Sequence, residues 1–167
     1  MTLPTRELSA EQTAFRSAMA AFPSGVTIVT TSDAGGRWWG FTASSFCSVS
    51  LSPPLVLVCL DRNADCHAAF SGASQWAIHL VPPDHIDLAR RFATRGADKF
   101  AGDWFVADCD GLPILDRAAV TLRCTIHAIH PGGDHSILVG RVRHTHLEDR
   151  AAALYYRRDL RSLPEGW

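Results

Sequence analysis

The sequence is almost free of lysine: Lys99 is the only one among 167 residues, and arginine carries the remaining positive charge. The formal net charge is -1 at pH 7, and no lysine- or arginine-rich stripe occurs. A nucleic-acid-binding surface needs such a cluster of positive charge, so a nucleic-acid partner is not expected. No uninterrupted apolar run approaches the roughly 20 residues of a membrane-spanning helix, so no membrane segment is predicted either.

The features of a secreted, disulfide-bonded protein are also missing. The five cysteines are odd in number and include no Cys-x-x-Cys pair. The N-terminus has no basic start followed by an apolar stretch, so no signal peptide is predicted. We therefore expect reduced, mostly buried thiols in a cytoplasmic protein, with Cys47 and Cys59 as unreactive core residues of apolar strands.

No Gly-x-Gly-x-x-Gly motif follows a predicted strand, and alternating βα units are missing, so a Rossmann sheet is not predicted. What the sequence does contain is many strands joined by short turns, together with a few short helices. This pattern predicts a mainly β protein built as a closed antiparallel barrel. The length of the chain is that of one ordinary domain.

Three helices are predicted, over residues 9–22, 64–71 and 85–93. The first begins with a capping box formed by Ser9 and Gln12, and the third is expected to be capped by Asp84. In the first helix Phe15, Met19 and Phe22 recur at helical spacing and are expected to face the core. Strands are predicted over 26–31, 37–42, 46–51, 55–60, 76–81, 119–130 and 136–146, and the last two form the clearest hairpin. Residues 94–112 are predicted to be a loop.

The segment 41–60 contains the most informative pattern in the chain. Thr42, Ser44 and Ser45 place small hydroxyl side chains at its start, and Pro53-Pro54 makes a stiff corner between two strands predicted to be buried. Small side chains would let a ligand approach the backbone closely and would offer hydrogen bonds to its polar edge. A strand pair with a polar turn explains the same residues more simply, so both interpretations stay open on the residues alone.

Six short motifs follow one another in a specific order along the chain. They are FPSGVTIVTT (22–31), GFTASSFCSVSLSPPLVLVCL (40–60), ARRFA (89–93), DKFAG (98–102), GGDHSILVGRV (132–142) and LYYRRDL (154–160). In this order and at these separations the chain resembles the short-chain flavin reductase family, the reductase partners of two-component flavin monooxygenases. The resemblance covers a core of about residues 15–160 and implies a single flavin reductase-like domain over 1–167.

The resemblance implies a split β-barrel that forms a homodimer and holds flavin near the subunit interface. It further implies an NAD(P)H-dependent enzyme that transfers a hydride to FMN or FAD and supplies reduced flavin to a partner monooxygenase. The choices between FMN and FAD, and between NADH and NADPH, stay open. His144 and His146 share one strand face at a spacing compatible with two metal ligands, but no acidic or cysteine partner is evident nearby, so no metal site is predicted.

The family positions that contact flavin correspond to a defined set in this sequence. They are Trp39, Gly40, Phe41, Thr42, Ser44, Ser45, Cys59, Leu60, Asp61, Asp65, Cys66, Arg91 and Phe92. Arg91 and the helix start within 61–67 are expected to meet the flavin phosphate. At Asp65 and Cys66 relatives usually carry hydroxyl residues, and an ionised aspartate would repel the phosphate, which predicts loose flavin binding.

His135 is the predicted catalytic-site residue, because by resemblance it lies near the nicotinamide. Hydride transfer needs no protein acid or base, so His135 is expected to position a reactant. Tyr155 or Tyr156 is expected to stack on a ring, and Arg157 to meet the dinucleotide phosphates. A histidine that merely occupies a hairpin turn, and tyrosines that merely pack the C-terminal segment, are the structural alternatives.

Three other functions stay open. The barrel could carry flavin without reductase turnover, or it could be an oxidase of the related pyridoxamine-phosphate type, for which no basic substrate-phosphate site is evident. A flavin-mediated reductase for a metal complex such as a corrinoid is the third.

Overall fold

The computed structural model describes residues 8–163. Its helices are α1 (Ala10–Ala20), α2 (His67–Gly72) and α3 (Ile86–Ala93), with a 3-10 turn at Pro83–His85. Its strands are β1 (Ser24–Gly25), β2 (Thr27–Ser32), β3 (Trp38–Ala43), β4 (Cys47–Ser50), β5 (Leu55–Asp61), β6 (Gln75–Leu80), β7 (Phe105–Ala107), β8 (Pro113–Leu115), β9 (Val120–Gly132), β10 (His135–Leu147), β11 (Leu154–Tyr156) and β12 (Asp159–Arg161). Within the described residues, every helix is too short or too polar to cross a membrane.

Seven strands form one antiparallel sheet in the order β3-β2-β6-β9-β10-β5-β4. The sheet curls, because strands from both of its halves contribute to one apolar core. Val29 and Phe41 enter that core from one half, and Val58, Leu60 and Leu138 enter it from the other. The edge strands β3 and β4 are not joined by a ladder, so the barrel is split, as the family resemblance implies, and not closed, as the strand pattern alone predicts.

A second apolar cluster lies outside this core and fixes α3 against the sheet. Leu88, Ala89 and Phe92 project from α3 and are buried among Ile28 and Phe105. Phe100 stacks edge-on against both Phe92 and Phe105, which ties the loop that follows α3 to the same cluster. This packing places the C-terminal end of α3 beside β3, where the cleft described below begins.

The long hairpin formed by β9 and β10 is confirmed. Gly132 pairs with His135, so that only Gly133 and Asp134 form the turn. Gly133 has a φ of 71°, a left-handed conformation in which a side chain would be strained. The β2–β3 hairpin and the capping box of α1 are confirmed as well, with Ser9 Oγ accepting from Gln12 N at 3.1 Å.

The apolar face of α1 is not where the sequence predicts it. Phe15, Met19 and Phe22 are 65%, 54% and 69% exposed, so they do not face the core. Helical periodicity identifies an apolar face but does not say what covers it, and within the described residues of one subunit nothing does.

Two further predictions are wrong. Asp84 does not cap α3: the helix begins at Ile86, and the Asp84 carboxylate instead bonds the His85 ring and the Arg150 guanidinium. β4 is largely exposed, and with it Cys47, because β4 is an edge strand. All five cysteines are free thiols, and Cys66 and Cys124 are the two that are buried.

A two-residue turn joins β11 to β12 and has an unusual composition. Arg157 and Arg158 occupy it with φ values of 50° and 66°, both in the left-handed region. Hairpin turns of this shape favour Asn-Gly, since other side chains are strained there. The turn contacts α1, because Arg157 N donates to Ala20 O and Arg158 donates to Ser17 Oγ.

Candidate functional site

A cleft of about 330 Å³, partly open to solvent, lies where β3, the end of β5 and the C-terminal end of α3 meet. Most of the predicted site residues line it, namely Phe41, Thr42, Cys59, Leu60, Asp61, Asp65, Cys66, Phe92 and His135. They come from segments separated by up to about 90 residues in the chain, and the fold brings them together. Asn63, Arg95 and Lys99 line the same cleft and are absent from the sequence prediction.

A second cleft of about 320 Å³ adjoins the first and shares Asp65, Cys66 and Lys99 with it. Trp39 and Gly40 line this second cleft. The Trp39 indole N–H donates to Asp33 Oδ2 at 2.8 Å, and this bond is the main reason that the pKa of the Asp33 carboxyl is lowered. Asp33 therefore orients the Trp39 ring at the edge of the site.

Gly40 is required by packing at the wall between the two clefts. A Cβ at this position would lie 2.6 Å from Phe92 Cε1 and 3.0 Å from Val29 O. The Gly40 carbonyl accepts a hydrogen bond from Lys99 Nζ at 2.9 Å. The missing side chain thus lets α3 approach β3, and the Gly40 carbonyl fixes the only lysine of the chain at the cleft.

The three hydroxyl residues Thr42, Ser44 and Ser45, at and just beyond the end of β3, do not form one polar entrance to the cleft. Thr42 Oγ1 donates to Ala89 O at 2.6 Å, which ties β3 to α3. Ser45 Oγ accepts from Cys59 N at 2.9 Å, which ties the end of β3 to β5 across the split. Two of the three hydroxyls thus hold the walls of the cleft together, and Ser44 is exposed.

Ser44, Ser45 and Tyr155 lie outside the main cleft, in a groove beneath α1 that Phe15 and Met19 also line. Tyr155 is half-buried against the second apolar cluster, so its structural role is evident. The predicted site residues are therefore divided among the main cleft, the second cleft and this groove, and Arg91 lines none of the three.

The positive charge of the main cleft comes from residues other than the predicted one. Arg91 is not among the lining residues, and its Nη1 donates to Ala101 O at 2.8 Å. Arg95 and Lys99 line the cleft instead. Lys99 belongs to the DKFAG motif, which could have identified it, whereas Arg95 lies between two motifs and left no signal in the sequence.

Asp65 is held by Arg95. The Arg95 Nε and Nη2 atoms donate to Asp65 Oδ1 at 3.2 and 3.0 Å, and Nη2 also donates to Asn63 O at 2.8 Å. Asp61 Oδ1 accepts from Asn63 N at 2.8 Å and closes the turn after β5. The segment 61–67 is thus a cross-linked loop before α2, a helix that begins only at His67.

Cys66 is buried at the base of both clefts. Desolvation raises the pKa of its thiol, although the positive charge of Lys99 acts in the opposite direction. The thiol is accordingly protonated at neutral pH and serves as a small apolar wall rather than as a nucleophile.

His135 reaches the cleft from the β9–β10 turn. It pairs with Asp61 across the ladder between β10 and β5, and Arg62 N donates to Asp134 O at 3.0 Å. The His135 Nδ1 atom lies 2.7 Å from Asp134 Oδ1, and the hydrogen bond from the ring lowers the pKa of the Asp134 carboxyl. The ring is 42% exposed, so one imidazole edge is held while the other is accessible.

Residues 19–164 match the family model described as a flavin reductase like domain. The chain therefore belongs to the flavin reductase family, as the six motifs predict.

Individual relatives are similar to this chain over most of its length. It is 46% identical over 149 residues to the actinorhodin polyketide dimerase of Streptomyces coelicolor, covering 89% of this chain and 84% of the relative. It is 44% identical over 149 residues to the NADH:riboflavin 5'-phosphate oxidoreductase of Streptomyces pristinaespiralis, covering 87% and 85%. The relatives also include reductase subunits of flavin-dependent monooxygenases, such as that of Rhodococcus jostii, 35% identical over 86% of this chain and 73% of the relative.

Among solved structures, the chain is similar to the NADH:FAD oxidoreductase of Streptomyces globisporus in complex with NAD and FAD fragments. The TM-score is 0.87 at 31% sequence identity, and the match covers 97% of this chain and 99% of that one. The split-barrel fold implied by the family resemblance is thereby confirmed.

Proposed function

We propose that this protein is an NAD(P)H:flavin oxidoreductase that transfers a hydride from reduced nicotinamide to FMN or FAD. The observation that carries the proposal is the cleft itself, which joins Phe41, Asp61 and His135 in a chain of this family. The names of the relatives from Streptomyces pristinaespiralis and Streptomyces globisporus, both NADH-dependent flavin oxidoreductases, support the same reaction.

The residues of the cleft fit a phosphorylated flavin in their chemistry. Phe41, Leu60 and Phe92 provide the apolar walls that a planar ring needs, and Phe92 is almost fully buried. Arg95 and Lys99 provide the positive charge that a phosphate needs. We therefore propose that the ring lies along the wall between β3 and β5 and that the phosphate lies toward the loop 95–99.

The cofactor, when bound, supplies a ring system that accepts a hydride. The protein then needs no acid or base and has to hold two rings face to face, roughly 3–3.5 Å apart. We propose that His135 contributes to this by hydrogen-bonding the nicotinamide side through its accessible edge, while Asp134 holds the other edge of the imidazole. His135 is thus a positioning residue, not a proton donor to the reaction.

A homodimer formed through α1 is the second part of the proposal. Phe15, Met19 and Phe22 present an apolar surface that no described residue of the same subunit covers. The groove beside it contains Ser44 and Tyr155, two of the predicted cofactor-binding residues. A second copy packed on α1 would therefore bury this surface and bring the two subunits close to the flavin site.

Sedimentation velocity tests the dimer directly. The wild type should sediment as a dimer, and Phe15→Glu should sediment as a monomer because it places a charge in the apolar contact. Leu147→Glu, at an exposed apolar residue on β10, is the matched control and should remain dimeric. A monomeric wild type at micromolar concentration contradicts this part of the proposal.

A monooxygenase that receives reduced flavin is the proposed partner, since relatives such as that of Rhodococcus jostii are reductase subunits of such enzymes. The cytoplasmic location predicted from the cysteines stays a prediction.

The reaction is tested by anaerobic stopped-flow spectroscopy of the purified protein with each flavin and each nucleotide. Rapid bleaching of the visible flavin absorbance by NADH or NADPH, dependent on protein, is expected. If flavin binds and neither nucleotide bleaches it, the protein is a flavin carrier and the reductase proposal is wrong. Oxidation of pyridoxamine phosphate under air would instead support the oxidase alternative.

A further inference from the structure

We propose that Asp65 determines how strongly the cleft discriminates between phosphorylated and unphosphorylated flavins. Its carboxylate engages the Arg95 guanidinium inside the proposed phosphate region, so that a flavin phosphate must compete with a carboxylate of the protein. This inference rests on the proposed function and deepens it, because it concerns which flavin the same cleft accepts.

The first argument for this proposal is the geometry of the Asp65–Arg95 pair. Two nitrogens of Arg95 point at one oxygen of Asp65, and Nη2 is shared with the Asn63 carbonyl. A guanidinium fork binds carboxylate and phosphate through the same nitrogens. Arg95 therefore cannot offer this fork to a phosphate while Asp65 holds it.

The second argument is the set of charged side chains that line the cleft. Its lining contains the carboxylates of Asp61 and Asp65 and the cations Arg95 and Lys99. Within residues 8–163, Lys99 has no carboxylate within salt-bridge distance, while Arg95 is neutralised by Asp65. Removing the charge of Asp65 alone thus frees one cation and raises the positive charge that faces a phosphate.

The exposure of the pair sets the size of the effect. The side chains of Arg95 and Asp65 are 68% and 57% exposed, so solvent and salt screen their attraction. Exposed pairs of this kind change equilibria only modestly, so we expect a change of about two- to fivefold in affinity. Asp65 weakens phosphate binding without abolishing it, which suits a flavin that enters and leaves as a substrate.

Riboflavin provides the internal control, because it has the ring and side chain of FMN without the phosphate. We would titrate the wild type, Asp65→Asn, Arg95→Gln and the double variant with both flavins at low ionic strength and follow the quenching of flavin fluorescence. Asp87→Asn is the matched control, since that carboxylate on α3 is 95% exposed and lies outside the cleft lining.

Asp65→Asn should tighten FMN binding about two- to fivefold and leave riboflavin binding unchanged. The gain should be smaller when Arg95 is already glutamine, and Asp87→Asn should match the wild type. The inference is wrong if Asp65→Asn changes the affinities for FMN and riboflavin equally, or if the gain in FMN affinity is the same with and without Arg95. Bleaching of riboflavin by NADH in the same samples would show that the proposed function still holds. If neither flavin binds or is bleached, the proposed function fails first and the inference fails with it.

Discussion

His79 and His135 belong to the same seven-stranded sheet, and their surroundings could hardly differ more. His79 on β6 is fully buried between Thr30 and Thr121. His135 begins β10 at the edge of the cleft, half exposed, with a carboxylate beside it. The same side chain is part of the packing in one region and is accessible to a ligand in the other, so burial and hydrogen-bond partners decide its role.

The hydrogen bonds around His79 define its tautomer. Thr30 Oγ1 donates to Pro113 O at 2.6 Å, so its lone pair accepts from His79 Nε2–H at 3.0 Å. Nδ1 then faces the Thr121 hydroxyl at 3.4 Å as an acceptor. A second proton would leave a charge in the core, and desolvation accordingly lowers the pKa of His79 to about 3.

The largest expected effect is a loss of stability in acid that depends on His79. The unfolded chain protonates this histidine near pH 6.5, whereas the native protein keeps it neutral down to about pH 3. The contribution of neutral His79 to the free energy of unfolding is complete above pH 6.5. It falls by about 1.4 kcal/mol per pH unit as the pH decreases toward 3. Urea unfolding at several pH values between these limits measures the slope.

His79→Gln, which cannot take up the proton, should reduce that slope, and His135→Gln should retain it. If the pH dependence of the free energy of unfolding is lost in His135→Gln and not in His79→Gln, the contrast between the two histidines is wrong.

Thr30→Val should produce the next largest effect. Valine has nearly the same shape but leaves His79 Nε2 and Pro113 O buried without their partner. The free energy of unfolding should fall by about 1–3 kcal/mol. Thr31→Val on the same strand removes one hydrogen bond, to Gln75 O, and should cost less. Chemical denaturation of both variants gives the difference. Equal losses in the free energy of unfolding would show that the hydrogen bonds of Thr30 to His79 and Pro113 stabilise the protein no more than the single bond of Thr31.

His135→Gln should show the opposite profile, with activity changed and stability retained. The free energy of unfolding should stay within about 0.5 kcal/mol of the wild type, as for other surface substitutions. The concentration of NADH that half-saturates flavin bleaching should rise about three- to tenfold, the value of one hydrogen bond. His144→Gln, at an exposed histidine further along β10, should change neither quantity. If the half-saturating NADH concentration is the same for His135→Gln and His144→Gln, His135 has no role in positioning the nicotinamide and is only a residue of the hairpin turn.

Asp134→Asn should have the smallest effect. The carboxylate only orients the His135 ring, and it is 85% exposed. The half-saturating NADH concentration should rise by about twofold at low salt, and less as the ionic strength increases. A change larger than that of His135→Gln would mean that Asp134 itself contacts the nucleotide.

Features that depend on near neighbours were predictable from the sequence. The β9–β10 hairpin follows from alternation on both sides of a turn containing Gly133, and the capping box of α1 follows from Ser9 and Gln12. The apolar run of β5 likewise predicted a strand, although only its alternate residues are buried. Each of these signals lies within a few residues of the structure that it specifies.

Features that depend on distant partners were not predictable. Asp65 pairs with Arg95 thirty positions away, and Asp84 leaves its expected helix to meet Arg150. Arg91 belongs to the expected motif, yet its side chain binds Ala101 O rather than the cleft. A single sequence gives the chemical type of such residues, but their partners are set by the way the sheet curls.

The arginine pair between β11 and β12 has a practical consequence for protein engineers. Substitution by Asn-Gly would suit the backbone better and should raise the melting temperature. It would also strip two guanidinium groups from the region beside α1, where Arg158 lines the groove with Tyr155. A higher melting temperature and the positive charge beside this groove are therefore opposed at this hairpin. A variant stabilised here would present less positive charge to any molecule that binds in the groove.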